Sequence, residues 1–498
     1  MSDVAIGIAA FPVMLALILS RVPIGLAMFG TGFLGLVLIT GDFSLPLARL
    51  KNETYTTFSN YSLSIIPMFL LMGNFAAQGG MSQALFKAAQ SWIGHRRGGV
   101  AMATIGACAG FGAICGSSLA TAATMGRVAL PELKRYGYPP GFSAATIAAG
   151  GTLGILIPPS LVLVIYAILT EQNIAKLFVA AIVPGLIAVV GFTLAVAIYV
   201  RVNPEASGTQ PRIAYAERMK SLAKVWPVVT VFALVVGGIY AGWFTPTEGA
   251  AVGALATGII AWRSGGLDRR GLSSCFNATA RTSAMIFFII LGAAFFNGFL
   301  ALTGAPQQLA AWIELRDLNP YLVIVCLLIM YLLLGCVMDS LSMILLTIPI
   351  FWPILLGMDF AFVTMAELHA ARFEDVVASG VKIAPDFLDQ VQATIAAGAE
   401  LTREQLRELG MRGVNDFALE RINTERLAIW FGIMVLIVVE VGLVTPPIGM
   451  NIFIVGAMDR TIPVIGIYKA IWYFVASDLI RVVLLFAFPV LTLGFLSL

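Results

Sequence analysis

Charge is scarce in this chain. Only 11% of its 498 residues are Asp, Glu, Lys or Arg, while 59% are hydrophobic. A soluble domain carries about 25% charged and ~45–50% apolar residues. That gap excludes an ordinary cytosolic enzyme and a disordered chain. The net charge of +3 leaves no large electrostatic footprint for DNA or RNA, so no nucleic-acid partner is expected. Histidine is nearly absent: His95 and His369 are too few and too isolated for a histidine metal centre. The five cysteines, Cys108, Cys115, Cys275, Cys326 and Cys336, show no C-x-x-C spacing. They read as small buried hydrophobes. No Walker A loop, H-E-x-x-H or G-x-S-x-G occurs, so neither ATP hydrolysis nor a bound cofactor is expected, and the chain is not read as an enzyme. The N-terminus lacks a basic region and a small-residue cleavage site, so its first apolar run is read as a retained span.

Long apolar runs are what the chain has instead. A helix needs about 20 mostly apolar residues to cross a bilayer. Ten candidates occur, at 4–20, 22–40, 56–78, 141–169, 174–200, 225–243, 247–263, 278–303, 427–457 and 463–496. Two further stretches, 98–135 and 320–357, are too long for one span and short for two. Each is interrupted near its middle, by Gly116-Ser117-Ser118 and by Met338-Asp339-Ser340. Both read as re-entrant helical hairpins, whose turns need cover from protein or a watery cavity. The fold class is therefore an all-α polytopic membrane protein: about ten full spans, two re-entrant hairpins and two Pro-broken helices.

Basic residues orient it. The linker 201–224 carries Arg201, Arg212, Arg218, Lys220 and Lys224 and is placed in the cytoplasm. Counting crossings from there puts both termini outside. The first hairpin then opens from the cytoplasm and the second from outside. Residues 82–97 suit an interfacial helix on the cytoplasmic surface or a plain connecting helix. The segment 359–426 differs from the rest. It holds 12 acidic and 7 basic residues and reads as a soluble insertion of small helices outside the membrane, with Thr402 and Gln405 spaced as a capping box.

The chain also repeats itself. Pro23 matches Pro246, Asn74 matches Asn297, and Ser118 matches Ser340, at an offset near 222. Beyond the insertion, Pro158-Pro159 match Pro446-Pro447 at an offset of 288. Each half, 1–200 and 225–498, then holds five crossings and one hairpin. An odd number of crossings inverts the second half, an arrangement from which many secondary transporters are built.

The clearest matched segments are Gly154-Ile-Leu-Ile-Pro-Pro-Ser160 and Gly442-Leu-Val-Thr-Pro-Pro-Ile448. Proline removes a helical N–H and clashes with the carbonyl four residues earlier. The carbonyls of Gly154, Ile155, Gly442 and Leu443 are thus expected to lose their helical donors. A desolvated monovalent cation is a suitable partner for them, with hydroxyls of Ser117, Ser118, Ser340 and Thr445 completing the shell; otherwise Pro-Pro only kinks a packed helix. Half-helix N-termini at such breaks favour an anionic substrate group. The candidate substrate-binding set is Ser117, Ser118, Thr121, Asp339, Ser340, Thr445 and Asn451.

Charges within spans are costly and need a reason. Asp339 is read as a tip or cation group, or as a helix cap. Glu440 serves the site or faces the outer surface. Asp478 and Arg481 are read as a pair. Arg127 snorkels to the cytoplasmic surface or meets a substrate carboxylate. Glu248 reads as a helix N-terminal acid. The run with Phe287, Phe288, Phe295 and Phe296 is read as lipid-facing or packing.

The sequence resembles the large membrane (M) subunit of tripartite ATP-independent periplasmic (TRAP) transporters. The likeness rests on GSSLATAATMG at 116–126, GTLGILIPPSLVLVIYAILTEQNIAKLF at 151–178, FTPTEGAAVGA at 244–254 and VTPPIGMNIF at 444–453. It covers nearly the whole chain except 359–426. It implies a sodium-coupled importer of the bacterial inner membrane that moves C4-dicarboxylates or related organic acids. An extracytoplasmic substrate-binding protein (P) and a small membrane subunit (Q) are the implied partners. The implied fold is an inverted-repeat elevator. The resemblance nominates Ser117, Ser118, Gly154, Ile157 and Pro159 for one sodium site and Gly335, Met338, Gly442 and Thr445 for the other, mostly through backbone oxygens. The competing readings are a stand-alone sodium/dicarboxylate or anion carrier and an intramembrane enzyme built on Asp339 and Glu440.

Overall fold

A computed structural model of the chain describes residues 2–206, 208–316, 318–379, 384–411 and 414–496. Among these the regular structure is helical, with no strand. Four helices, Ile174–Val202, Arg269–Thr303, Asp416–Val444 and Val464–Ala487, are long and apolar enough to cross a membrane. The number rises to seven if each bent helix pair is one span. Shorter apolar helices include Asp3–Leu19 and Ile24–Thr40. Exposed leucines and isoleucines such as Leu38, Leu194, Leu255 and Ile480 give the helices the apolar outer faces that lipid solvates.

Both interrupted stretches fold as helix–turn–helix units. The first has arms Gly99–Cys115 and Ser118–Arg135. The second has arms Pro320–Gly335 and Ser340–Leu356. Both proline segments break their helices. Pro140–Leu156 gives way to Leu161–Leu169 with a bend of 44°, and Asp416–Val444 gives way to Met450–Met458. The Pro158-Pro159 and Pro446-Pro447 peptide bonds are both cis.

Several boundaries differ from the sequence reading. The span at 56–78 is divided. Helix Ser44–Ser59 stops at Asn60, whose side chain accepts from the Ser62 N–H at 2.9 Å and caps a 3-10 turn before Ile65–Gln78. Residues 225–243 contain a π-helical turn at Ala233–Gly237. The last run ends at Ala487 and resumes as a short turn of helix after Pro489. Helix Met81–Ile93 turns 61° from the helix before it, so it does not continue that span.

The helices pack in two groups. In one, Ile24–Thr40 lies along Arg269–Thr303 while Pro246–Arg263 lies along Ile65–Gln78. Phe295 and Phe296 are fully buried there; Phe29 meets Phe295 with ring centroids 4.8 Å apart. The other group holds both hairpins, both broken helices, Ile174–Val202 and Val464–Ala487. The insertion has its own small core of Phe373, Val391, Leu401, Leu409 and Met411. His369 Nδ1 accepts the Leu401 N–H at 3.1 Å, and the Thr402–Gln405 capping box is present.

Candidate functional site: two hairpin tips and an inner cavity

The first tip is closed by glycine. Gly116 takes φ +62°, a left-handed conformation that costs glycine little. Its carbonyl accepts the Leu161 N–H at 3.4 Å, which ties the tip to the second half of the first broken helix. Ser117 caps the return arm through the Ala120 N–H, at 3.5 Å. Gly112 lies against Gly154; a Cβ on Gly112 would fall 2.5 Å from the Gly154 Cα. Among the described residues no backbone N–H outside helical pairing reaches the Gly154 or Ile155 carbonyls, because Pro158 and Pro159 have none to give. Thr121 stands over Gly154 with its hydroxyl buried and without a hydrogen-bond partner.

The second tip repeats the arrangement with different chemistry. Gly335 lies against Gly442; a Cβ on Gly442 would fall 2.6 Å from the Gly335 backbone. Asp339 occupies the Ser117 position and performs the same task, accepting the Ser342 N–H at 3.1 Å. Its side chain is therefore a helix cap. Met338 and Ser340 are buried beside it. The Thr445 hydroxyl donates to the Val441 carbonyl. One expectation is corrected here: the Gly442 carbonyl is not left without a donor, since the Thr445 N–H reaches it at 3.0 Å. The chain turns tightly enough before the prolines to replace the lost helical bond with a shorter-range one.

The two tips are joined through the second broken helix. Asn451 is fully buried. Its amide donates to Ser118 Oγ at 2.8 Å and to the Ala148 carbonyl at 3.2 Å, while its Oδ1 has no partner. Glu440 is 1% exposed, so it does not face the outer surface. Asp478 and Arg481 form the expected pair, with Arg481 Nη2 and Asp478 Oδ1 2.7 Å apart. Asp339 and Glu440 show no mutual hydrogen bond that would make them an acid–base pair.

A cavity of about 750 Å³ opens between the first hairpin and the other helix group. Ser117 lines its tip end. Asn74, Gln78, Gln83, Thr124, Ser274 and Thr282 add neutral polar groups, and Arg127 is the one ionised side chain in its wall among the described residues. Asn74 Nδ2 donates to Thr279 Oγ1 at 3.0 Å. Arg127 is exposed and lines the cavity. Sequence reasoning used Asn74 only as a repeat marker and did not nominate Gln78, Ser274 or Thr282. Isolated polar residues in apolar helices carry no signal of which face they share.

Comparison with known proteins agrees with this architecture. The family model described as "Tripartite ATP-independent periplasmic transporter, DctM component" matches residues 11–491. The C4-dicarboxylate TRAP transporter large permease protein DctM of Pseudomonas aeruginosa is 32% identical over 434 residues, covering 86% of this chain and 84% of that protein. The sialic acid TRAP transporter large permease protein SiaM of Vibrio cholerae is 28% identical, covering 68% of this chain and 79% of that protein. A crystal structure of the Alcanivorax borkumensis YdaH transporter shares the fold at TM-score 0.57 and 12% identity, over 91% of this chain and 90% of that one. The chain belongs to the DctM component family of tripartite ATP-independent periplasmic transporters, a family of membrane permease subunits and not of enzymes.

Proposed function

We propose that this chain forms the transport path of a sodium-coupled importer of organic acids in the bacterial inner membrane. A soluble binding protein delivers the solute from outside, and a small membrane subunit supports the path. The observation that carries the reading is the inner cavity. It runs from the Ser117 tip past neutral amides and hydroxyls to a single cation, Arg127. Such a wall admits a polar solute and offers a carboxylate one charge-assisted partner. C4-dicarboxylates or related carboxylates fit that chemistry, and the Pseudomonas relative is named for C4-dicarboxylate.

Sodium is the proposed co-transported ion. The donor set suits a hard monovalent cation: proline-freed carbonyls at Gly154 and Ile155, and the buried unpartnered Thr121 Oγ1 and Asn451 Oδ1. Ser117, Ser118, Gly154, Ile157 and Pro159 would hold one ion, and Gly335, Met338, Gly442 and Thr445 the other. The elevator reading makes the hairpins and broken helices one body that slides against the remaining helices. Reciprocal packing supports the inverted repeat beneath it. Helix Ile24–Thr40 meets Arg269–Thr303 just as its repeat mate Pro246–Arg263 meets Ile65–Gln78. The ten-span topology, with the insertion 359–426 outside and in reach of the binding protein, belongs to the same proposal.

The test is uptake of a radiolabelled C4-dicarboxylate into proteoliposomes holding the chain and its small subunit. A sodium gradient is imposed, with and without the cognate binding protein. Uptake requiring both is expected. Sodium-driven uptake without the soluble partner would instead identify a stand-alone carrier. Uptake indifferent to both overturns the proposal.

A further inference from the structure

Behind the two tips lies a cluster of buried charges that transport by neutral oxygens does not require. Glu440 projects from the second broken helix, two residues before Gly442, and is 1% exposed. Ser118 of the first tip and Ser340 of the second both face its carboxyl group. Neither carboxyl oxygen has a hydrogen bond of good geometry. On the facing helix Val464–Ala487, Asp478 and Arg481 are 1% and 3% exposed and pair at 2.7 Å. Arg481 keeps Nε and Nη1 without partners. Two carboxylates and one guanidinium are therefore buried in one region closed to water, and the ion pair there is between Asp478 and Arg481. Once Asp478 has paired with Arg481, the charge of Glu440 has no protein counter-charge of its own.

An unpaired buried charge is strongly unfavourable. Such a carboxylate takes up a proton unless another cation supplies the opposite charge. Both candidate cation sites are built from neutral oxygens, and both converge on this carboxylate through their tip serines. We infer that Glu440 is the shared counter-charge of the two hairpin-tip cation sites. This rests on the sodium reading above. Glu440 acts on the ions as a positioning and electrostatic residue behind Ser118 and Ser340. One negative charge reached from both tips makes occupancy of each site depend on the same group. Asn451 fixes the geometry from the other side by holding Ser118 Oγ.

The experiment is a sodium titration of the purified full-length chain, read as melting temperature, with choline chloride holding ionic strength constant. Glu440→Gln keeps the shape and removes the charge. Loss of a group just outside a metal's ligands typically lowers affinity about 10–100-fold, so the sodium midpoint of Glu440→Gln is expected to rise by that factor. Glu440→Asp keeps the charge with a shorter reach and is expected to fall between. Thr121→Val and Thr445→Val each weaken one tip, and Glu440→Gln should raise the midpoint further in both backgrounds. If Glu440→Gln does not fold, Glu440→Asp in the two single-tip backgrounds decides. A wild type stabilised by sodium beside variants with unchanged midpoints overturns the inference, even if they melt lower in choline. A shift in only one background also overturns it, since the charge is then not shared. A wild type indifferent to sodium removes the sodium reading itself, a distinct failure.

Discussion

Asn451 connects three parts of the molecule with one amide. It starts the second half of a broken helix and reaches the first hairpin at Ser118 and the first broken helix at Ala148. All of these atoms lie where water is excluded, so a lost bond leaves its partner unsatisfied. Leaving a buried polar group unpaired costs about 1–3 kcal/mol. Asn451→Leu, of similar volume, removes both bonds and the unpartnered Oδ1. It is expected to lower the melting temperature of the purified protein and to weaken its stabilisation by sodium. Unchanged values of both would mean that the amide holds nothing. Asp339 teaches the complementary lesson. A carboxylate inside an apolar run invites a functional reading, yet its geometry is that of a cap. Its repeat mate Ser117 caps the same position of the other hairpin, and a serine and an aspartate both accept a first-turn N–H.

Among the elements, the contact between each hairpin and its broken helix depends on paired glycines. Gly112 on Gly154 and Gly442 on Gly335 bring backbone against backbone, with no flexible side chain to give way. Adding a methyl group to such a contact costs about 1–3 kcal/mol through forced backbone shifts. Gly112→Ala and Gly442→Ala are each expected to lower the melting temperature, while Gly106→Ala, on the same arm as Gly112 but with open space at its Cβ, should leave it unchanged or slightly raised. Equal losses at Gly106 and Gly112 would mean that the cost does not arise from the glycine contact, since Gly→Ala at an open helical position is neutral or stabilising. Much of this layer is legible in the sequence. The hairpins, the two breaks and the insertion are marked by proline pairs, Gly-Ser runs and a change in charge density. The glycine contacts are not, because a glycine announces a close approach without naming its partner. The placement of Glu440 was equally hidden. Every residue from Leu427 to Val444 is buried, so no periodic face distinguishes lipid from interior along that helix. The divided span at 56–78 escaped for a local reason: Asn60 ends one helix and caps the next turn within an unbroken polar-to-apolar gradient.

At the scale of the whole molecule, the cavities beside the two hairpins differ in size and lining. A polar-lined space of about 750 Å³ lies open beside the first hairpin, whereas beside the second hairpin the gap at Leu345, lined by Thr56, Asn60 and Ile168, holds about 170 Å³ and a separate apolar groove, lined by Phe11, Trp312, Ile350 and Phe351, about 560 Å³. In the proposed orientation the first hairpin opens to the cytoplasm, because its base carries Lys134 and Arg135 and the linker 201–224 is basic. The structure is then inward-open. Two halves that pack reciprocally are expected to support a second arrangement in which the gap widens and the cavity closes, because each contact on one side has a counterpart on the other. Thiol labelling separates the states. In a chain carrying Cys326→Ala, Cys115→Ala and Cys275→Ala, which removes the exposed native thiol and the two that line the cavity, Ala123→Cys places a probe in the cavity wall and Thr56→Cys one in the gap. A membrane-impermeant maleimide should label Ala123→Cys rapidly in inside-out vesicles and slowly in right-side-out vesicles. Thr56→Cys should label only from the outside. Sodium with an organic acid should shift both rates in opposite directions if the two openings exclude each other. Rates that rise together would mean that the cavities breathe independently, and the elevator reading would lose its basis in one rigid moving body.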